Sequence, residues 1–191
     1  MKGDTFILGV ACYTDVATEF ADALWALAMT DAYGDRRIPN GNLIKMKGPY
    51  LTRNRNNICR IFLTTKADWL VMVDTDMQFA PQQIYDLVDS GDPVSRPIIS
   101  AAYWGFYTEL GLSLVWMEYK DPINHDAPII ELPTEIRELS SVGMGCCAIH
   151  RSVLEKLLAN NPGDDWPWFT ESPQYDSVVK RMAYAGEDVG F

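Results

Sequence analysis

Trp69-Leu70-Val71-Met72-Val73 is apolar without a break and stops at Asp74-Thr75-Asp76. A short apolar run closed by polar residues predicts a strand buried on both faces, as in a parallel sheet covered by helices. Open α/β sheets hold ligands at the carboxyl ends of such strands. Asp74 and Asp76 therefore stand where two carboxylates could serve as hard oxygen ligands for Mg²⁺ or Mn²⁺, with water and phosphate oxygens completing the shell. An Asp-x-Asp pair alone is a common feature of surface turns. Its place after a buried strand gives this one weight.

The flanking sequence extends the same pattern. Upstream, Phe6 to Cys12 is a second continuous apolar run and predicts another buried strand. Phe20, Ala23, Leu24, Leu27 and Ala28 then recur at helical spacing, with Thr14-Asp15 or Thr18 as candidate caps and Gly34 near the end. Pro39-Asn40-Gly41 reads as a turn and Asn42 to Met46 as a strand. Ile58, Ile61 and Phe62 predict a helix over 57–66, and Pro81 suits a first helical position with Ile84, Leu87 and Val88 behind it. The β-α-β-α-β-α order predicts a single α/β domain with a central, mostly parallel sheet flanked by helices.

The second half is less regular. Ile98 to Tyr107 and Leu112 to Tyr119 read as two aromatic-rich strands, and Ile129 to Leu139 has rough alternation. Val153 to Leu158 reads as a short helix, and 160–173 as a loop around Trp166 and Trp168.

The 191 residues suffice for one domain with a core of its own. With 16 Lys and Arg against 26 Asp and Glu, the formal net charge is −10. So acidic a chain is a poor partner for a broad nucleic-acid or anionic-membrane surface. No apolar run reaches the ~18 residues of a membrane span. The start, Met1-Lys2-Gly3-Asp4, has no apolar h-region behind it, so no signal peptide is expected, and the expected location is the cytoplasm. The four cysteines show no C-x-x-C spacing and read as reduced, buried thiols. One stretch breaks the acidic balance: eight bases and no acid lie between Arg36 and Lys66. It reads either as an anion site or as a solvated basic face.

Several short motifs accompany the Asp-x-Asp turn. Gly9-Val10-Ala11-Cys12-Tyr13 ends the first strand, and Arg55-Asn56 precedes Ile58 and Phe62-Leu63. Asp68 to Met77, with Phe79 and Pro81, surrounds the carboxylates. Gly143 to Ile149 is followed by Arg151-Ser152-Val153, Trp168 by Phe169, and Gly186-Glu187-Asp188-Val189-Gly190-Phe191 closes the chain. Together these resemble the nucleotide-sugar glycosyltransferases of the GT-A fold, closest to the family-2-like enzymes often encoded by phages and bacteria. The resemblance runs nearly end to end, and its most specific part is 68–77.

The resemblance implies a metal-dependent transfer of a sugar from a nucleotide-diphosphate donor, UDP-type favoured, to a hydroxyl acceptor, with inversion. It implies Asp76 as the direct ligand of Mn²⁺ or Mg²⁺ and Asp74 as its helper or a ribose contact. Tyr13, Arg55 and Asn56 fall on the donor side, and Gly145, Trp166 and Trp168 on the acceptor side. Asp188 is the implied general base, with Glu187 orienting it. The acceptor class is a glycan, a protein or a modified DNA base, and a phage-encoded enzyme would work in the host cytoplasm. Relatives usually continue past the acid motif to a metal-ligating His, whereas this sequence ends at Phe191 and has His125 and His150 elsewhere. That predicts a domain over 1–191 lacking the usual C-terminal extension. Of the single residues, Cys146 and Cys147 read as packing groups and His150 as a surface or capping residue. Two other classes compete: a non-catalytic nucleotide-sugar-binding module, and a HAD-like phosphatase. The second expects Thr or Val where Gln78 stands, and expects its motif near the start of the chain.

Overall fold

The structure is a computed structural model. It describes residues 3–13, 15–107, 111–114, 116–118, 127–128, 134–139, 141–170, 172–176 and 181–185, with side chains for 3–13, 15–103, 134–139 and 142–170. Strand β1 (Phe6–Cys12) is followed by α1 (Thr18–Tyr33), a 3₁₀ turn at Pro39–Gly41, β2 (Leu43–Lys47), α2 (Leu51–Leu63), β3 (Trp69–Val73) and α3 (Pro81–Ser90). Then come β4 (Ile98–Ser100), β5 (Trp104–Tyr107), β6 (Gly111–Leu114), β7 (Trp116–Glu118), β8 (Ala127–Pro128) and β9 (Ser141–Val142). Strand β10 (Cys146–His150), α4 (Arg151–Asn160), β11 (Ser172–Asp176) and β12 (Arg181–Ala185) complete the order.

The principal sheet has five strands in the order β2-β1-β3-β10-β4. The β1 strand pairs in parallel with β2 and β3, while β10 is antiparallel to both of its neighbours. The expected α/β architecture, a central sheet flanked by helices, is present; the mostly parallel pairing expected holds only for β2-β1-β3, because β10 pairs antiparallel on both sides and makes the sheet mixed. The smaller pairs are β5–β6, β7 with β8 and β9, and β11–β12, all antiparallel.

Alternation along the strands builds a core on each face. Phe6, Leu8, Val10, Val71 and Val73 face one side, packing with Phe20 and Leu27 of α1 and Ile84, Leu87 and Val88 of α3. Ile7, Ala11, Leu70 and Met72 face the other, packing with Ile58, Cys59 and Phe62 of α2, Leu154 of α4, and Trp168 and Phe169. Gly9 is required here because a Cβ would lie 2.5 Å from Ile58 Cγ2, so a side chain would push α2 off the sheet.

Several boundaries differ from the sequence reading. Helix α2 begins at Leu51, six residues before the predicted start, because the first turns of its buried stripe are polar: Thr52, Arg55 and Asn56 precede Ile58, Cys59 and Phe62. The run read as one strand from Ile98 to Tyr107 is broken after Ser100, where 101–103 leave the ladder. Residues 134–139 form no strand, and 129–133 lie outside the described residues. The α1 helix takes Ala17 as its N-cap, with no side-chain cap. All four cysteines are free and buried, as expected. His150 caps α4, its ring nitrogen accepting from the Ser152 N–H.

Candidate functional site

The two loops that follow β1 and β3 both lead to helices on the α1/α3 face, whereas the loop after β2 leads to α2 on the opposite face. Loops that diverge in this way open a crevice at the carboxyl edge of a sheet. At this edge Cys12 C=O accepts from Gly48 N–H at 3.0 Å, and Thr75 C=O accepts from Ala17 N–H at 3.1 Å. Tyr13, at the end of β1, and Tyr50, before α2, are both well exposed on this rim.

Asp74-Thr75-Asp76 forms the adjoining turn. Met77 N–H donates to Asp74 C=O at 3.2 Å, and Asp74 N–H donates to Gly145 C=O at 2.9 Å. Gly145 is itself tied to Tyr103, whose phenol oxygen accepts from its N–H at 2.9 Å. A Cβ on Gly145 would lie 2.7 Å from a Tyr103 ring carbon, so the tie requires glycine. The turn is therefore fixed from the antiparallel strand β10 as well as from β3.

The Asp74 carboxylate is held from a third direction. Arg55 Nη2 lies 3.0 Å from Asp74 Oδ1, and the Arg55 side chain is only 2% exposed against 34% for Asp74. The Arg55 guanidinium also stands 6.0 Å from the centre of the buried Phe169 ring. A planar guanidinium donates to a carboxylate with a fixed fork, which sets the direction of the acid. Arg55 is thus a positioning cation behind Asp74; direct contact with a donor phosphate, the role expected from sequence, is not open to a side chain so deeply buried. Asp76 is exposed, two residues farther along the turn. Beside them, burial first and the Asp74 carboxylate second push the Cys146 thiol up to about 12, so it stays neutral.

Asn56, also expected on the donor side, faces inward. Its Nδ2 donates to Thr52 C=O at 2.9 Å and Phe169 C=O at 2.8 Å, and its Oδ1 accepts from the N–H groups of Trp168 and Phe169. It fastens 168–169 to α2. Trp168 is 2% exposed and gives its indole N–H to Leu154 C=O, so it packs and offers no face to a sugar. Trp166, 43% exposed, keeps an open face. Glu187 and Asp188 lie outside the described residues.

The basic stretch is divided among several tasks. Arg37 is buried against Asp89 at 2.7 Å, Arg55 against Asp74, and Arg60 donates to Asp165 C=O. Lys45, Lys47 and Arg53 remain exposed. No single anion-binding surface collects all eight bases.

The carboxylate pair is compatible in its chemistry with a divalent cation: two hard oxygen donors on one turn, the first oriented by a buried cation. Among the described residues no group of three or more His, Cys, Asp or Glu side chains is placed to hold a metal. An ion held by this pair would draw its other ligands from water and from phosphate oxygens. Among the described residues no helix is long and apolar enough to cross a membrane. Tyr103 was missed by sequence reasoning, and no local pattern marks it, since its partner is 42 residues away.

No protein-family model matches the chain. No curated protein matches it. Among solved structures it is similar to A197 from STIV, known from a crystal structure, at 18% identity over 98% of this chain and 75% of that one, with a TM-score of 0.48. A similarity at this level assigns no activity.

Proposed function

We propose that the chain is a GT-A-like, metal-dependent glycosyltransferase, transferring a sugar from a nucleotide-diphosphate donor to a hydroxyl acceptor with inversion. One observation carries the reading: an Asp-x-Asp turn at the carboxyl edge of a buried strand, clamped by Arg55 and Gly145, on the same edge as an exposed tyrosine. Asp76 would hold Mn²⁺ or Mg²⁺ directly, with Asp74 assisting. When bound, the ion neutralises the diphosphate as it leaves. Arg55 holds the Asp74 carboxylate in a fixed direction, so the turn need not reorganise when the donor arrives. Tyr13 offers a ring face to the base of the donor, and Trp166 an exposed face on the acceptor side.

An alcohol is a weak nucleophile at neutral pH, so the acceptor needs a base within hydrogen-bond reach on the face opposite the diphosphate. The resemblance gives that role to Asp188, with Glu187 orienting it. The test is turnover of a UDP-sugar with Mn²⁺, read as donor hydrolysis or as transfer to an alcohol. Asp188→Asn is expected to keep nucleotide binding and to lower turnover by ~10² or more, the scale of a positioned general base. Wild-type turnover in that variant, or a product that retains the anomeric configuration of the donor, would contradict the mechanism. Nucleotide binding with no turnover by the unaltered chain would favour a non-catalytic binding module.

A further inference from the structure

The α1 helix lies on the face of the sheet opposite α2, and its burial is unusual. Phe20, Ala23, Leu27 and Asp31 face the core. Outside, Trp25 is 69% exposed, Met29 37% and Tyr33 85%. Their spacing, i, i+4 and i+8, sets them in one line along the outer face. A solvated helix face normally carries charge, yet no Lys or Arg occurs from Thr18 to Gly34. The charges stand at the two ends instead. Glu19 and Asp22 lie in the first turns, and Arg36 lies just past the last, its Nε folded back to donate to Ala32 C=O at 3.3 Å. An apolar line of this length rimmed by charge marks an interaction surface.

The line is symmetric about its own middle. Trp25 and Tyr33 stand four residues to either side of Met29, and Asp22 and Arg36 seven residues to either side. At 1.5 Å per residue Trp25 and Tyr33 lie about 6 Å from Met29 along the axis and Asp22 about 10 Å; Arg36 stands past the helix end, with its Nε brought back to the Ala32 carbonyl. In a two-fold contact residue i meets j and j meets i, so a surface that carries an acid at one end and a base at the other is complementary to itself. We propose that α1 is the two-fold interface of a homodimer, with Met29 on the axis, Trp25 against the partner's Tyr33, and Asp22 against the partner's Arg36. A groove of about 540 Å³ beside the line, lined in part by Leu24, Ala28, Ala32 and Leu43, leaves room for the indole of the partner's Trp25. Pairing through the neighbouring edge strand β2 is disfavoured, because it displays Lys45 and Lys47. The proposal uses no residue of the carboxylate turn and stands apart from the catalytic reading.

Sedimentation equilibrium of the chain from about 1 to about 100 μM, the range of ordinary specific association, tests it. The expected mass at the upper end is twice 21.5 kDa. Met29→Glu sets two carboxylates face to face on the axis and should leave a 21.5 kDa species throughout. Asp22→Arg and Arg36→Asp should each weaken the dimer roughly tenfold or more, and together should restore it to within about threefold. Because these positions are exposed, each variant should keep the wild-type circular dichroism spectrum. A monomeric wild type at the highest concentration would overturn the proposal. So would a dimer indifferent to Met29→Glu, or a charge-swapped pair no better than its parents.

Discussion

Helices α1 and α2 cover opposite faces of one sheet and invert each other's burial. α2 carries Thr52, Asn54, Arg55 and Asn56 into the interior at its N-terminal end, while α1 leaves Trp25, Met29 and Tyr33 outside along its length. Apolar residues on a surface and polar residues in a core are individually common. A whole run of either is informative, because each carries an energetic penalty that packing alone does not explain. In α2 the buried polar run is fully employed: Arg55 aims Asp74, and Asn56 fastens the 168–169 backbone. In α1 the exposed apolar run has no such employment among the described residues.

The contrast predicts unequal responses to truncation. Arg55→Ala empties a buried position and takes a charge-assisted donor from Asp74, and should destabilise the fold by about 2–4 kcal/mol, read by urea unfolding. Asn56→Ala leaves backbone groups at 168–169 and 52 without their amide partner, and should cost about 2–3 kcal/mol in the same assay. Trp25→Ala, on the opposite helix, should change the stability of dilute protein by less than about 0.5 kcal/mol. A Trp25→Ala loss as large as that of Arg55→Ala would erase the distinction between the two faces.

Alkaline pH sharpens the account of the buried side. Cys146 is held protonated by burial and, secondarily, by the Asp74 carboxylate, and burial pushes the Cys59 thiol up as well. A raised folded pKa means that the folded state keeps a proton the unfolded chain gives up. The contribution is complete below the ordinary thiol range and is lost as pH rises from there toward about 12 for Cys146. Stability should therefore fall above about pH 9, by up to about 1.4 kcal/mol per pH unit for each such thiol. Cys146→Ser should flatten that decline, and an unchanged slope would remove Cys146 as its source.

The parts of the fold legible in sequence are those where burial and apolarity coincide. β1 and β3 announce themselves as unbroken apolar runs, and Pro81 stands at the first position of α3 as expected. The start of α2 was obscured because its buried stripe turns polar before Ile58, where apolar periodicity falls silent. β10 carried a signal in Cys146-Cys147-Ala148-Ile149, but an apolar run has no arrow, so its antiparallel placement between β3 and β4 was not readable. β11 includes Pro173 and Gln174 and lacks both alternation and an apolar run. At the site, sequence placed the carboxylates and Tyr13 on one edge. It could not show that Arg55, Asn56 and Trp168 are turned inward, since only the tertiary contacts of Asp74 and Phe169 decide that.

The central claim is that the Asp74–Asp76 turn binds a nucleotide diphosphate through a divalent ion. Isothermal titration of UDP into the chain with Mn²⁺, repeated with Asp76→Ala, tests it most directly. Metal-dependent binding in the wild type, weakened more than about tenfold in the variant, is the expected result, since a lost charge-assisted contact is worth about 1.5–3 kcal/mol. Binding of equal strength in the two proteins, or binding indifferent to removal of Mn²⁺ by a chelator, would contradict it.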